Sequence, residues 1–546
     1  MNKIKHFDMQ SKKESDYLYS VIKSLSRTEK AYFKKYAKRH VIGNKNKYVE
    51  LFNAIDGNTE NYNEKIIIEK FQNERFVKNF PVMKNYLYKM ILKSLGSYYS
   101  DSSDESEIKN DVTYIEILYK KGLFINSKKI LTKSRKTAYR TDNFPLLLEL
   151  LRWKKNLIIE GVFEGNQYIN LEEACKEEQD IIKKIKNLND YRTLSYLARS
   201  LIVGNNPHIK ESNTGTELLN ILKHSLLQSE KRALSYPALM IYYHTLATVN
   251  DSLNRSKESL AYRKGLITLM ENHPEKIKDN IANYAVALYN ILGTCLNMKK
   301  YTELENYIKK FRLLEKNRQN RISENSRMNI VLGSLFYELR TFFDRGEFSR
   351  LSQKLPELEK ELEEFSAMII KSDKLYFYYL LAYGYFGTGK FEDSLMWNNK
   401  ILNEKISHKE NKLYNTSKIL NLILHYELGN WDLLEYLTES LYRDSRKNTD
   451  TGKTEKSLVD LLKQLPDISN VPEQKSLFKQ TLNTIRTDSL PASSISKKNE
   501  LKGPGEIQNT FANIAEIDLE SWLESKISGR KFADIVREKY LISQKN

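Results

Sequence analysis

Cysteine is nearly absent. Cys175 and Cys295 are the two in 546 residues, far apart and outside any CxxC. That excludes a disulfide framework and a Cys-rich zinc site, and it fits a reducing compartment. Ten prolines and twenty glycines are few for this length. Both residues break or weaken helices, so their scarcity favours long ones. No apolar run approaches the roughly 18 residues that read as a membrane span. The opening MNKIKHFDMQSKKESDYLYS has no apolar stretch of the kind a secretory leader needs. The expectation is a cytoplasmic protein with no membrane partner.

Signatures of catalysis are also scarce. The eight histidines (His6, His40, His208, His224, His244, His273, His408 and His425) form no HExxH and no His-x3-His pair. His244 and His425 sit in apolar helical patterns and read as core or seam residues. There is no GxSxG. Acidic pairs such as Glu172-Glu173 and Glu363-Glu364 read as solvated faces. One match needs dismissal: Gly384-Tyr-Phe-Gly-Thr-Gly389-Lys390 fits GxxxxGK. A phosphate-binding loop needs a strand before it and Ser or Thr after the Lys to hold Mg²⁺, and here Phe391 follows. The reading is therefore no enzyme, no catalytic residue, no cofactor and no metal.

What is present is apolar and basic. Hydrophobic residues make up 40% and charged ones 29%, and there are 35 tyrosines. Tyrosine suits half-wet helix seams, where the ring packs and the hydroxyl keeps a partner. The net charge is +18. Residues 1–100 hold 20 Lys and Arg against 10 Asp and Glu, so the excess is concentrated there. Such an excess is either an electrostatic footprint for a polyanion or a solvated face.

Five segments follow from the pattern. Residues 1–99 read as a basic helical region. Ser26-Arg-Thr-Glu29 is a capping box, helices are expected near 46–56 and 63–72, and a long one begins around Pro81. The polar run 100–111 reads as a linker. Residues 112–445 recur as helix, small turn, aromatic, helix. The turns end at Phe124, Tyr168, Tyr301, Phe348, Phe391 and Trp431. Successive aromatics lie 44 apart, then, after a gap of 133, lie 47, 43 and 40 apart. Degenerate turns near 213 and 254 would fill the gap. A period of this size means stacked supersecondary units whose apolar faces are buried by neighbours. Residues 446–508 read as a flexible linker with short helices around 455–464 and 474–486. Residues 509–546 read as a C-terminal helical tail.

The clearest unit is Tyr378, Leu381, Ala382, Tyr385, Gly389, Phe391 and Ser394, followed by Ile401 and Leu402. It resembles a tetratricopeptide repeat (TPR). Leu339, Phe342, Gly346 and Phe348 fit more loosely, as does Tyr243-His244-x-Leu246-Ala247 ending in Leu269 and His273-Pro274. The resemblance covers about three-fifths of the chain and implies a right-handed superhelical all-α solenoid of helical hairpins. Two departures stand out. The period exceeds the roughly 34 residues of that repeat, and Leu304 or Leu351 replaces the small residue expected in the second helix. A HEAT-like array stays open. The ending SWLESKISGRKFADIVREKY is similar to that of large bacterial TPR-type proteins.

Two interaction surfaces are expected. In the tail, Asp518 caps a helix bearing Leu519, Trp522, Leu523 and Ile527, and Gly529 closes it. A second helix carries Phe532, Ile535, Val536 and Tyr540. Trp522, Leu523, Phe532 and Ile535 are the candidate docking residues, for a partner's groove or for this chain's own repeats. In the N-terminal region, Lys30, Lys34 and Lys38 share one helical stripe beside Lys35 and Arg39. These five are candidate nucleic-acid contacts, with helix-turn-helix packing compatible. The primary expectation is a non-enzymatic scaffold holding a protein or peptide. The alternative is a nucleic-acid-binding regulator.

Overall fold

The computed structural model describes residues 15–39, 46–57, 64–100, 103–203, 214–316, 322–366, 368–404, 411–447, 453–488 and 517–545. All regular structure among the described residues is helical, which meets the expected all-α class. The chain divides into two compact units, residues 1–186 and 187–546.

The first unit opens with α1 (Ser15–Ser24), α2 (Arg27–Lys38), α3 (Lys47–Asp56), α4 (Glu64–Lys70) and α5 (Phe80–Tyr98). Their apolar faces meet in one core around Ile22, Phe33, Phe52 and Leu87. The capping box expected at Ser26 is formed. The Ser26 hydroxyl accepts from the Glu29 N–H at 3.3 Å, and Glu29 accepts from the Ser26 N–H at 2.6 Å. Next come α6 (Asp104–Lys120), α7 (Phe124–Arg140), α8 (Phe144–Ile159) and α9 (Gln167–Val203), whose residues from 187 on belong to the second unit.

The stretch 100–111, expected as a linker, is helical from Asp104. Ser103 caps it by accepting the Ser106 N–H, three acidic residues occupy its first turn, and Ile108 is buried. Acids suit a helix N-terminus because its exposed N–H groups carry partial positive charge. A stretch polar on most faces still makes a helix when its cap is right and one residue per two turns reaches the core.

The second unit contains α10 (Thr214–Leu222), α11 (Tyr236–Ser252), α12 (Ser256–Glu271), α13 (Pro274–Asp279), α14 (Ile281–Asn297) and α15 (Tyr301–Lys316). It continues with α16 (Glu324–Arg345), α17 (Phe348–Glu364), α18 (Lys371–Gly387), α19 (Phe391–Leu402), α20 (Asn411–Glu427) and α21 (Trp431–Lys447). It ends with α22 (Lys453–Gln464), α23 (Val471–Asp488), α24 (Leu519–Ser528) and α25 (Phe532–Ser543). Sequential helices pack as neighbours, and one apolar core runs from Leu260 to Val536.

A single turn chemistry makes the hairpins. Gly122, Asn254, Lys299, Gly346, Gly389 and Gly429 all take positive φ. The residue after each sends its N–H back five positions: Leu123 to Leu118, Lys300 to Cys295 and Glu347 to Phe342, each at 2.9 Å. This is the six-to-one bond of a Schellman turn, which satisfies an otherwise orphaned carbonyl. The next helix starts one residue later, which is why the aromatic recurs at its first position. Only Gly adopts this conformation without cost, so Lys299 there gives up about 1–2 kcal/mol.

The periodic reading departs from the structure in two places. Tyr168 stands at the second position of α9, which runs back along α8 but continues for 37 residues, far beyond a hairpin arm. The turn expected near 254 exists at Asn254, whereas the one near 213 lies outside the described residues. Residues 446–508, expected as a flexible linker, contain α22 and α23 at the expected places, but both are packed. Leu458, Leu462, Phe478 and Leu482 join the core of the unit. These helices are polar on average because only one stripe is apolar, and that stripe is sufficient.

Candidate functional site

The C-terminal helices lie against the turn ends of successive hairpins. Asp518 caps α24 by accepting the Ser521 N–H at 2.9 Å, and Gly529 closes it with φ 71°, both as expected. Trp522 is 1% exposed. Its ring meets Tyr426 at 5.8 Å and Phe478 at 6.0 Å, both edge to face. Its Nε1–H donates to Glu427 at 2.7 Å, and Lys526 donates to the other oxygen of Glu427 at 2.6 Å. A half-buried carboxylate is thus fully partnered by the tail.

The second helix reaches the preceding turns. Phe532 packs against Phe386 at 5.1 Å, Phe348 at 5.6 Å and Tyr383 at 6.4 Å. Arg537 donates to the carbonyl of Arg345 at 3.0 Å and to Glu347 at 3.1 Å. Tyr540 meets Tyr301 at 5.6 Å. The approach is closest at Gly346, where an added Cβ would stand 2.5 Å from the Arg537 nitrogen. Of the four candidate docking residues, Trp522, Leu523 and Ile535 are buried and Phe532 is half-buried, all within this unit. The tail therefore spans the turn ends at Tyr301, Phe348, Phe386 and Tyr426.

The cationic stripe of α2 is split. Lys30 pairs with Asp56 at 2.7 Å, and Lys34 lies over the Phe52 ring at 5.7 Å. Lys35, Lys38 and Arg39 are exposed near the C-terminal end of the helix. Tyr32 and Phe33 serve the bundle: Phe33 is in its core and the Tyr32 hydroxyl bonds Ser97 at 2.9 Å. The structure therefore brings three of the five cations together at the surface and commits the other two to intramolecular contacts.

The GxxxxGK match lies at the end of a helix. Gly384 is within α18, and an added Cβ at Gly387 would run into Phe348, so these glycines serve close helix packing. His244 is half-buried, and desolvation, with Arg263 nearby, pushes it down to about 4. His425 is likewise lowered by burial and bonds Asn430 at 3.1 Å. Among the described residues no group of His, Cys, Asp and Glu could hold a metal, and no helix is long and apolar enough to cross a membrane.

No family model, no curated protein and no solved structure matches this chain.

One feature escaped the sequence. In the first unit the turn edge of α6–α9 carries Leu123, Ile125, Ile159, Tyr168 and Ile169, all exposed, with Ile125 at 76% and Tyr168 at 74%. Contacts knit this edge together: Lys128 donates to the Val162 carbonyl at 2.9 Å and covers the Phe163 ring, and the Tyr119 hydroxyl bonds Glu160 at 2.7 Å. The signal was there in Leu123-Phe124-Ile125 and Tyr168-Ile169, adjacent apolar residues that cannot all face one core in a helix.

Proposed function

We propose that the chain is a non-enzymatic interaction scaffold. Its TPR-like hairpins form a right-handed superhelix that holds a protein or peptide partner. The observation that carries this reading is the bare turn edge of the first unit. Scattered exposed apolar residues are ordinary, but five along one turn edge are what a recognition surface looks like. Hairpin stacking needs neither Ile125 nor Tyr168. The test is affinity capture from the native cell with the intact protein and with an Ile125→Glu, Tyr168→Glu variant. The reading expects a discrete set of captured proteins that the variant loses. Identical sets would overturn it. Small-angle scattering checks the architecture, and a compact sphere would contradict a superhelix.

A second reading rests on Lys35, Lys38 and Arg39, exposed within a chain end rich in cations. They would contact nucleic-acid phosphates, and binding would weaken steeply with salt as counterions are released. An electrophoretic shift of duplex DNA and of RNA by the intact protein tests this. Reversing the three cations to Glu should abolish the shift, and no shift at low salt would remove the reading.

A further inference from the structure

We infer that the groove bounded by α23, α24 and α25 receives an amphipathic helix with acidic flanks, contributed by a partner protein. The groove has a volume of about 530 Å³. Its apolar lining comes from three helices: Leu482 of α23, Ile527 of α24, and Ile535 and Ile542 of α25. Leu482 and Ile535 are anchored in the core, whereas Ile542 and the neighbouring Leu541 stand exposed. The tail thus spends one face on the hairpin turns and offers another, still apolar, to solvent.

The rim selects the occupant. Lys479, Arg486, Arg530 and Lys539 line it with Glu524 and Glu538, and Glu520 stands beside Arg486 at 3.3 Å, so four cations meet three carboxylates. Glu524 is shared between Arg486 and Lys539, and Arg530 pairs with Glu538 at 2.6 Å. Lys479 has no ionic partner among the described residues. It aligns with Asn483 and Arg486 at helical spacing on one side of α23. The residual charge is positive and solvent-facing, where it steers and selects more than it tightens. An apolar trough under such a rim matches a helix that places apolar anchors at i, i+3 or i+4, and i+7, with carboxylates beside them. A nucleic-acid backbone fits poorly, since the floor is aliphatic and three carboxylates stand at the rim.

The site shares no residue with the turn edge of the first unit, so each idea fails or stands independently. The test uses the full-length protein and a fluorescein-labelled designed peptide of about five helical turns, with a leucine stripe flanked by glutamates. One control replaces the glutamates by lysines, and a second replaces the leucines by serines. Anisotropy should show saturable binding of the acidic peptide alone. Lys479→Glu with Arg530→Glu, both exposed, should weaken it about tenfold or more while leaving the melting curve unchanged. Ile542→Ser should weaken it without shifting the salt dependence. Equal binding of acidic and basic peptides, no binding of either, or indifference to the double reversal would overturn the inference. So would sedimentation showing self-association that the double reversal abolishes, because the groove would then belong to a second copy.

Discussion

Two turn edges in this protein share one backbone chemistry and have opposite surfaces. Between Tyr301 and Tyr426 the hairpin ends pack against α24 and α25: Tyr301 meets Tyr540, Phe348 and Phe386 meet Phe532, and Tyr426 meets Trp522, while Trp431 itself stays exposed. Between Leu123 and Ile169 the turns are bare, and aliphatic side chains face water. The left-handed residue and its six-to-one bond set the chain direction in both places. What lies over the edge is decided by residues far away in sequence, so the local motif is silent about it.

The sharpest way to break the comparison is to remove the roof. Trp522→Ala empties a fully buried site and leaves Glu427 without its indole donor. The expected cost is about 3–5 kcal/mol in chemical denaturation of the intact protein. Phe532→Ala, half-buried, should cost about 2 kcal/mol. If both changes fall within about 0.5 kcal/mol of wild type, the tail is not a structural cover.

A smaller effect, at the end of α18 away from the tail, depends on pH. Asp373, in the first turn of α18, is 5% exposed, and burial raises it from 3.8 to about 7 despite a bond from Ser372. Below pH 4 it is protonated folded and unfolded, so it costs nothing. As pH rises from 4 to 7 the unfolded state ionises first and the folded state loses stability, with the full deficit present above 7. Asp373→Asn should therefore flatten the stability curve over that window and stabilise the protein by about 1–2 kcal/mol at pH 8. An unchanged pH profile would show that the carboxyl is ionised in place, stabilised by the N-terminal amides of its helix.

Legibility from sequence follows the same division. Caps and turns are local, so Ser26, Asp518, Gly346, Gly389 and Gly529 could be read directly. Helix existence was legible wherever an apolar stripe was dense. It was missed at 104–111, where Ile108 alone carries the core contact. At 446–508 the helices of α22 and α23 were legible but their packing was not, because composition averages over a helix whose single stripe does the burying. The four tail residues could be picked out by their contrast with polar surroundings, yet nothing in the tail names Glu427, Phe386 or Gly346 as what it touches. The cationic stripe of α2 was legible as charge. Its division into paired Lys30, ring-covered Lys34 and exposed Lys35, Lys38 and Arg39 depends on where α3 lies.

The smallest expected effect is the most telling for the bare edge. Ile125→Ser with Tyr168→Ser removes two large apolar side chains that are already three-quarters in water. Exposed side chains contribute little burial on folding, so the pair should change unfolding free energy by less than about 0.5 kcal/mol. The same pair should lower binding of a solvatochromic apolar dye, which reports exposed hydrophobic surface. These outcomes together would mark a surface kept apolar for reasons other than folding. A loss of about 2 kcal/mol or more would mean the opposite. The edge would then be buried in the folded protein, the two edges would both be roofed, and the difference between them would disappear.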